Sequence, residues 1–354
     1  MDMKRSYYED LRLFDTLPLG LWLVAATVAL AAAPFLLGNY VLYVLGYIAI
    51  NVIVAIGLNV LVGYTGQISL GHAGFFAIGA YATVLLANVG LPILLALPLA
   101  ALIAAAFGFL LGLPALRLEG PYLAVVTLGF GLAVENIFAK ASVFGGATGP
   151  AVPGFGVTFL PGFSREQNLY VLIVATAGLS LLAVRNLIRT RVGRAFIAIR
   201  DSDVAASCAG VDLTWYKTLA FAVSAFFTGL AGGLFAFHLG QVDPTSFNLM
   251  LSILFLAMVV IGGVGSILGP VLGAVAISLL NLKLKGLKMA DFEQIPLAGP
   301  DIAAFLGRHF METGMANIQF IVYGTILVLI MLFEPLGLYG LWIRGKRYWR
   351  TWPF

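Results

Sequence analysis

Apolar stretches of roughly twenty residues recur along this chain from Leu19 to Phe333 with no long polar gap between them. That recurrence decides what the chain can fold into. A helix needs about 20 apolar residues to cross the roughly 30 Å hydrocarbon core of a bilayer. Inside that core a helix satisfies all its own backbone N–H and C=O groups within one segment. Ten segments fit the pattern: 19–37, 40–62, 68–88, 91–114, 121–139, 168–184, 217–239, 249–262, 267–282 and 318–334. The expected fold is an all-α polytopic membrane protein of eight to ten transmembrane helices. Two segments, 249–262 and 267–282, are short. Gly262, Gly263, Gly265, Gly269 and Pro270 lie at their junction and leave a re-entrant pair open as an alternative.

The charge content agrees. Only 10% of the 354 residues are charged, against roughly 25% in a soluble domain, which needs them for its surface. The length alone would allow two soluble domains, but no polar linker divides the chain. The reading is one transmembrane domain over 19–339, after an N-terminal segment 1–18 and before a basic tail 340–354. Ala31-Ala32-Ala33 resembles a signal-peptidase site, but Pro34 would follow the cut, so 19–37 is read as an uncleaved first helix. Cys208 is the only cysteine, which excludes a disulfide framework and a cysteine-based metal site.

The 20 Lys and Arg residues orient the chain. With ten spans and the N-terminus inside, Lys4, Arg5, Arg12, Arg117, Arg185, Arg189, Arg191, Arg194, Arg200, Lys217, Arg344, Lys346, Arg347 and Arg350 fall on the cytoplasmic side. Basic residues favour that side in short loops, so N-in/C-in is the expected topology. The net charge of +4 then reports topology, and no basic stripe for nucleic acid is present. The outer loops are 140–167 and 283–317, and the second of these balances its Lys and Arg with Asp291, Glu293, Asp301 and Glu312.

Glycine is abundant, at 41 residues, and three pairs are spaced by four: Gly108 with Gly112, Gly229 with Gly233, Gly265 with Gly269. Small residues at this spacing let helix backbones approach closely in lipid, so each pair is read as a helix-packing position.

Three stretches carry the polar chemistry. In the inward-facing loop 185–217, Ala195, Ile199, Ala206 and Gly210 fall on related helical faces. Asp201, Ser202 and Asp203 offer a cap for a second short helix ending near Gly210. Such a helix suits docking into a partner's groove; the alternative is a solvated loop whose charges only set topology. In the second stretch, Gly63, Gly66 and Gly71 would break a helix, beside Tyr64, Gln67, Ser69 and His72. A break at membrane depth leaves backbone groups that must line protein or a water-filled cavity. These side chains are therefore candidates for the edge of a translocation path, the alternative being a helix cap near the cytoplasmic surface. Glu135 with Asn136 is the acidic feature set well inside an apolar span, where ionisable groups are costly and functional; an outer helix end meeting water or Lys140 is the alternative. The third stretch, Phe144-Gly145-Gly146-Ala147-Thr148-Gly149-Pro150, is a glycine-rich outer loop.

Taken together, these segments resemble the LivM-type permeases, one of two membrane subunits in the branched-chain amino-acid family of ABC importers. The likeness rests on Gly63-Tyr64-Thr65-Gly66-Gln67-Ile68-Ser69-Leu70-Gly71-His72 through Tyr81, on Gly193-Arg194-Ala195 through Gly210, on Leu219-Ala220-Phe221 to Leu230-Ala231-Gly232, and on Gly262-Gly263-Val264-Gly265-Ser266-Ile267-Leu268-Gly269-Pro270. It covers about 45 to 335. The resemblance implies an ATPase-coupling role for Arg191, Gly193, Arg194, Arg200, Asp203, Ala205, Ala206 and Gly210. Val204 stands where the wider importer motif has an acid directly before its alanine pair. The resemblance also implies contact of Gly145, Gly146, Thr148 and Gly149 with an incoming binding protein; a flexible connector is the alternative for that loop. The implied partners are a second, LivH-type permease subunit, two cytoplasmic ATPase subunits, an extracytoplasmic substrate-binding protein and membrane lipid, in a bacterial or archaeal inner membrane.

Several functions are disfavoured by what the sequence lacks. Gly340 to Arg347 nearly spells a phosphate-binding loop, but Arg347 takes the place of the hydroxyl that ligands magnesium and the stretch follows an apolar segment. The chain is thus expected to hold no ATP–magnesium itself and to leave hydrolysis to partners. His238 and His309 lack metal-ligand spacing. The expectation is a non-enzymatic importer subunit forming half of a pathway for branched-chain or other small amino acids. A permease of the same family for urea or amides, and an ion-coupled secondary transporter, are the alternatives. A channel would need a charged or carbonyl-lined filter, and none is identifiable.

Overall fold

Each of the ten apolar segments carries a helix in the computed structural model, which describes residues 17–115, 118, 120–141, 144–153, 162–286, 315–334 and 336–351. In chain order these are α1 (Leu17–Leu36), α2 (Asn39–Thr65), α3 (His72–Asn88), α4 (Ile93–Ala115), α5 (Pro121–Lys140) and α6 (Arg165–Arg189). Two short helices follow, α7 (Arg191–Asp201) and α8 (Asp203–Cys208), then α9 (Leu213–Leu239), α10 (Leu249–Gly262), α11 (Gly269–Gly286), α12 (Met315–Phe333) and α13 (Gly337–Thr351). Among the described residues the extended structure amounts to one isolated bridge between Ala151 and Gln241. Residues 1–16, Arg117 and most of the outer loop 283–317 lie outside the described residues.

The helix starts follow local rules. Ser164 and Gln167 close a reciprocal capping box at α6, and Asp212 and Asn248 accept from the backbone N–H groups of Trp215 and Leu251 at α9 and α10. Each cap satisfies a donor that has no partner within its helix.

Five helices, α2, α4, α5, α6 and α9, are long and apolar enough to cross a membrane alone. The bent pair α12 and α13, 46° apart, adds a sixth if it is one span. By length and composition the described residues therefore hold five or six spans rather than ten. The difference lies in α1, α3, α10 and α11, whose apolar helical lengths Thr27–Leu36, His72–Asn88, Leu249–Gly262 and Gly269–Lys283 are too short to span about 30 Å on their own.

α9 is the axis of the bundle and packs against α2, α3 and α4. Its buried face is built from small residues, including Ser224, Ala225, Thr228, Gly229, Ala231, Gly232 and Ala236. A Cβ built at Gly79 on α3 would overlap the backbone of Gly229, and one at Gly57 on α2 would stand 2.7 Å from Cβ of Phe227. The backbones therefore meet with almost no side chain between them, the packing that lipid favours. Gly108 and Gly112 on α4 likewise face Phe221, Ala225 and Thr218 of α9, as their spacing predicts. Gly265 and Gly269 do not: Gly265 sits in the α10–α11 turn at φ +75° and Gly269 opens α11. The same spacing there serves a tight turn.

α1 lies against α6, held by the Gln167 amide donating to the carbonyl of Pro34 at 2.7 Å and the Tyr170 hydroxyl to that of Leu30 at 3.2 Å. The outer faces of the bundle expose large apolar side chains such as Phe35, Val125, Leu179 and Phe333. An apolar exterior of this extent suits lipid rather than water.

The segment read as a basic tail is helical as far as Thr351. α13 shows Leu341, Trp342 and Tyr348 to the outside, and Arg344 pairs with the buried Glu334 at 2.9 Å.

Candidate functional site

One end of the bundle gathers three features: the elbow α7–α8, the break between α2 and α3, and the turn between α10 and α11. The elbow begins at a sharp reversal after α6, where a Cβ on Gly193 would overlap the backbone of Ile188. α7 then buries Gly193, Ala195, Phe196 and Ile199 against the bundle and leaves Arg191 and Arg194 exposed. Arg194 donates to the carbonyl of Arg189 at 3.2 Å.

The chain turns again at Ser202, whose hydroxyl caps α8 by accepting from the Ala205 N–H. α8 ends where the Gly210 backbone, at φ +81°, enters the left-handed region. The cap and the stop are those the sequence predicts. Only Ala206 is buried on α8, while Val204, 73% exposed, Ala205, Ser207 and Cys208 face outward. Gly210 is exposed as well, so it does not share the buried face of Ala195, Ile199 and Ala206 as its spacing predicted; the turn at Ser202 changes the helical phase. Asp203 forms an ion pair with Lys217 at the start of α9, tying α8 to the axis helix.

The α2–α3 break runs from Gly66 to Gly71. Gly63 does not break α2, which continues to Thr65; Gly66, at φ +72°, ends it. The side chains of Thr65, Ser69 and His72 all meet protein partners here. The His72 ring lies between the hydroxyls of Ser69, at 3.0 Å, and Ser224, at 2.8 Å, with no exposed surface. The Leu70 N–H donates to Thr127 on α5 and the Ala73 N–H to Ser252 on α10, at 3.0 and 2.9 Å. The irregular backbone of this break is thus met by side chains from α5 and α10, as buried backbone groups require. Tyr64 is buried too. The exception is Gln67, whose side-chain Nε2 is buried without a partner among the described residues.

Gln67 lines a cavity of about 360 Å³ together with Thr65, Gly120, Arg200, Asp203 and Lys217. The cavity joins the break to the elbow. Of the candidate path residues at the break, Gln67 therefore borders an open space, while Ser69 and His72 hold the break in shape.

Glu135 and Asn136 are not part of this cluster. α5 buries Leu123, Thr127, Gly131, Val134 and Phe138; Glu135 is half-buried beside that stripe and Asn136 lies on the exposed face, bonded to the Leu132 carbonyl at 2.8 Å. The glycine-rich loop belongs to the opposite end of α5. Gly145, Gly146 and Gly149 all have positive φ, and a Cβ on Gly149 would overlap the carbonyl of Val242. Tyr81 stacks on Phe138 at 4.2 Å with Phe144 edge-on to both. The loop is thus seated on the bundle, with Thr148 exposed.

Asn51 and Asn59 escaped the sequence reading. Both are buried in α2: Asn51 donates to the hydroxyl of Ser278 at 2.9 Å, and Asn59 bridges to the α10–α11 turn. Two amides eight residues apart in an apolar helix were the available signal. Among the described residues no group of three metal-ligating side chains is present.

These features define a multi-pass helical membrane protein with a short helical elbow wedged against two interrupted helices. Residues 40–332 match the family described as branched-chain amino acid transport system / permease component, and the chain belongs to that family. It is 35% identical over 300 residues to the high-affinity branched-chain amino acid transport system permease protein LivM of Salmonella typhimurium, covering 77% of this chain and 64% of that protein. The identity to LivM of Escherichia coli is 35% over 344 residues, 90% of this chain and 74% of that one. A shorter stretch of 131 residues, 35% of this chain and 40% of its relative, is 29% identical to the ribose import permease protein RbsC of Haemophilus influenzae. No solved structure gives a significant match.

Proposed function

We propose that this chain is the permease subunit of an ATP-driven importer for branched-chain or other small amino acids, and that the α7–α8 elbow receives the push of separate ATPase subunits. The observation that carries this reading is the elbow itself. α8 offers an apolar outer face of Val204, Ala205 and Cys208 yet is fastened to the transmembrane axis by Asp203–Lys217. A helix that served only topology would need neither feature. The family and the two LivM relatives supply the substrate class.

In this reading the chain crosses the inner membrane in up to ten segments, N-terminus and C-terminus inside, with the short α3, α10 and α11 completed by their neighbours. It forms half of a pathway, a second LivH-type permease supplying the other half. Gln67 at the cavity and Glu135 with Asn136 on the open side of α5 are the polar groups it offers to that path. The seated loop of Gly145, Gly146, Thr148 and Gly149 faces the binding protein on the outer side. ATP and magnesium are held by the ATPase subunits.

The test is reconstitution of the full complex in liposomes with binding protein, and measurement of leucine, isoleucine, valine, urea and amide uptake with ATP inside. Uptake of a branched-chain amino acid that needs ATP is expected. Val204→Arg should detach the ATPase subunits and abolish it. Uptake of urea alone would move the chain to the amide-type alternative, and ATP-independent uptake would sink the reading.

A further inference from the structure

We infer that Arg200 is the latch by which movement of the elbow is passed to both interrupted helices at once, an inference that rests on the coupling role proposed for α7–α8. Arg200 stands on the last turn of α7, the point where the elbow bends. Its Nη1 donates to the carbonyl of Gly63 at 2.9 Å, near the C-terminus of α2. Three donors, the N–H groups of Gly66 and Gln67 and the hydroxyl of Thr65, already converge on the carbonyl of Leu61. The Gly63 carbonyl is therefore left for a donor from outside the helix, and a cation is the favoured partner at a helix C-terminus.

The same guanidinium touches the second break. A Cβ on Gly265, in the α10–α11 turn, would overlap Nη1 of Arg200, and would stand 3.0 Å from the Gly63 carbonyl. Asn59 closes the junction from the other side: its Nδ2 donates to the Ser266 carbonyl at 2.8 Å and its Oδ1 accepts from the Gly265 N–H at 3.0 Å. Gly63 is glycine for the same reason, since a Cβ there would stand 2.6 Å from the Gly265 nitrogen. One side chain of the elbow thus meets the end of α2 and the α10–α11 turn where the two are already bolted together. Arginine suits the place because its charge is permanent and its donors are fixed in a rigid planar fork. When the elbow tilts, Arg200 shifts this paired junction as a unit; Asp203–Lys217 gives the elbow a separate tie to α9.

Arg200 is a positioning residue in this account, and its signature is the ratio of ATP hydrolysed to solute carried. In the reconstituted complex, Arg200→Ala is expected to raise that ratio about tenfold, a coupling of about 1.4 kcal/mol. Arg200→Lys, which keeps the charge but not the fork, should fall between. Gly265→Ala, which displaces the guanidinium from the other side, should raise the ratio as well and serves where Arg200→Ala fails to assemble. A wild-type ratio in all three variants overturns the latch, as does a parallel fall of hydrolysis and uptake that leaves the ratio unchanged. Val204→Arg separates the two claims. If it kills uptake while the Arg200 variants keep the wild-type ratio, the elbow couples but the latch is wrong; if Val204→Arg is silent, the coupling role itself fails.

Discussion

His72 on α3 and Ser224 on α9, 152 positions apart in the chain, are joined by a 2.8 Å hydrogen bond in a fully buried setting. With Ser69 on the other ring nitrogen, the imidazole has both polar atoms satisfied, and the start of α3 is fixed to the axis of the bundle. Removing one partner strands a buried group, which costs about 1–3 kcal/mol. Ser224→Ala should therefore lower the thermal unfolding midpoint of the purified subunit, and His72→Ala should lower it further because a cavity is added. Scanning calorimetry or a thermal-shift assay in detergent would show it; unchanged midpoints for both would remove the hub.

Gly79 and Gly229 set how closely α3 approaches α9. A methyl group at Gly79 has no space that a rotamer change could open, since the obstacle is the Gly229 backbone. Gly79→Ala is expected to destabilise by about 2 kcal/mol or more, the range of overpacked cores. Gly178→Ala, on α6 with nothing within 4 Å, should be neutral or slightly stabilising because alanine favours the helix. Equal midpoints for the two variants would contradict the backbone contact.

The helices were legible because a long apolar run in lipid has no other way to satisfy its backbone, and the Ser202 cap and the Gly210 stop were legible because they act over three or four residues. Contacts between distant segments leave no such local mark. Nothing near Arg200 tells that its acceptor lies 137 positions earlier, and nothing near Asn59 points to Ser266. The spacing of Gly265 and Gly269 was ambiguous because a tight turn and a helix crossing both demand small residues. The basic residues of 340–354 mark a tail without telling that it is helical, a signal carried by Leu338, Leu341 and Trp342 at helical spacing. The polarity of His72 and Ser69 suggests path residues, but nothing local tells that Ser224, 152 positions on, bonds the His72 ring.

Asn59 offers a sharper test of the junction between α2 and the α10–α11 turn. Leucine has the same branching and number of side-chain heavy atoms but bulkier methyl groups, so Asn59→Leu orphans the Gly265 N–H and the Ser266 carbonyl and adds some overpacking. Each orphaned group costs about 1–3 kcal/mol where water cannot reach it. The variant should be destabilised by several kcal/mol and should exchange the Gly265 amide proton faster than wild type. Hydrogen-exchange mass spectrometry over 259–270 reads this directly, and unaltered protection there would show that the bridge is not needed.

Glu135 separates an ATP-driven importer from an ion-coupled carrier. An ion-coupled carrier holds its essential carboxylate within the spans, where it cannot be replaced by an amide without loss of coupling. Here Glu135 is half-buried on α5 beside, not within, the buried stripe, and it belongs to neither interrupted helix. Glu135→Gln keeps a polar side chain on the path and removes only the charge, so ATP-driven uptake should stay within about twofold, the scale of a substitution that breaks no packed contact. Collapsing the proton or sodium gradient across the liposome should change wild-type uptake no more than that. The measurement is initial uptake rate with ATP inside, with and without an ionophore. Loss of transport in Glu135→Gln together with sensitivity to the ionophore would assign the driving force to an ion gradient and take it away from the elbow.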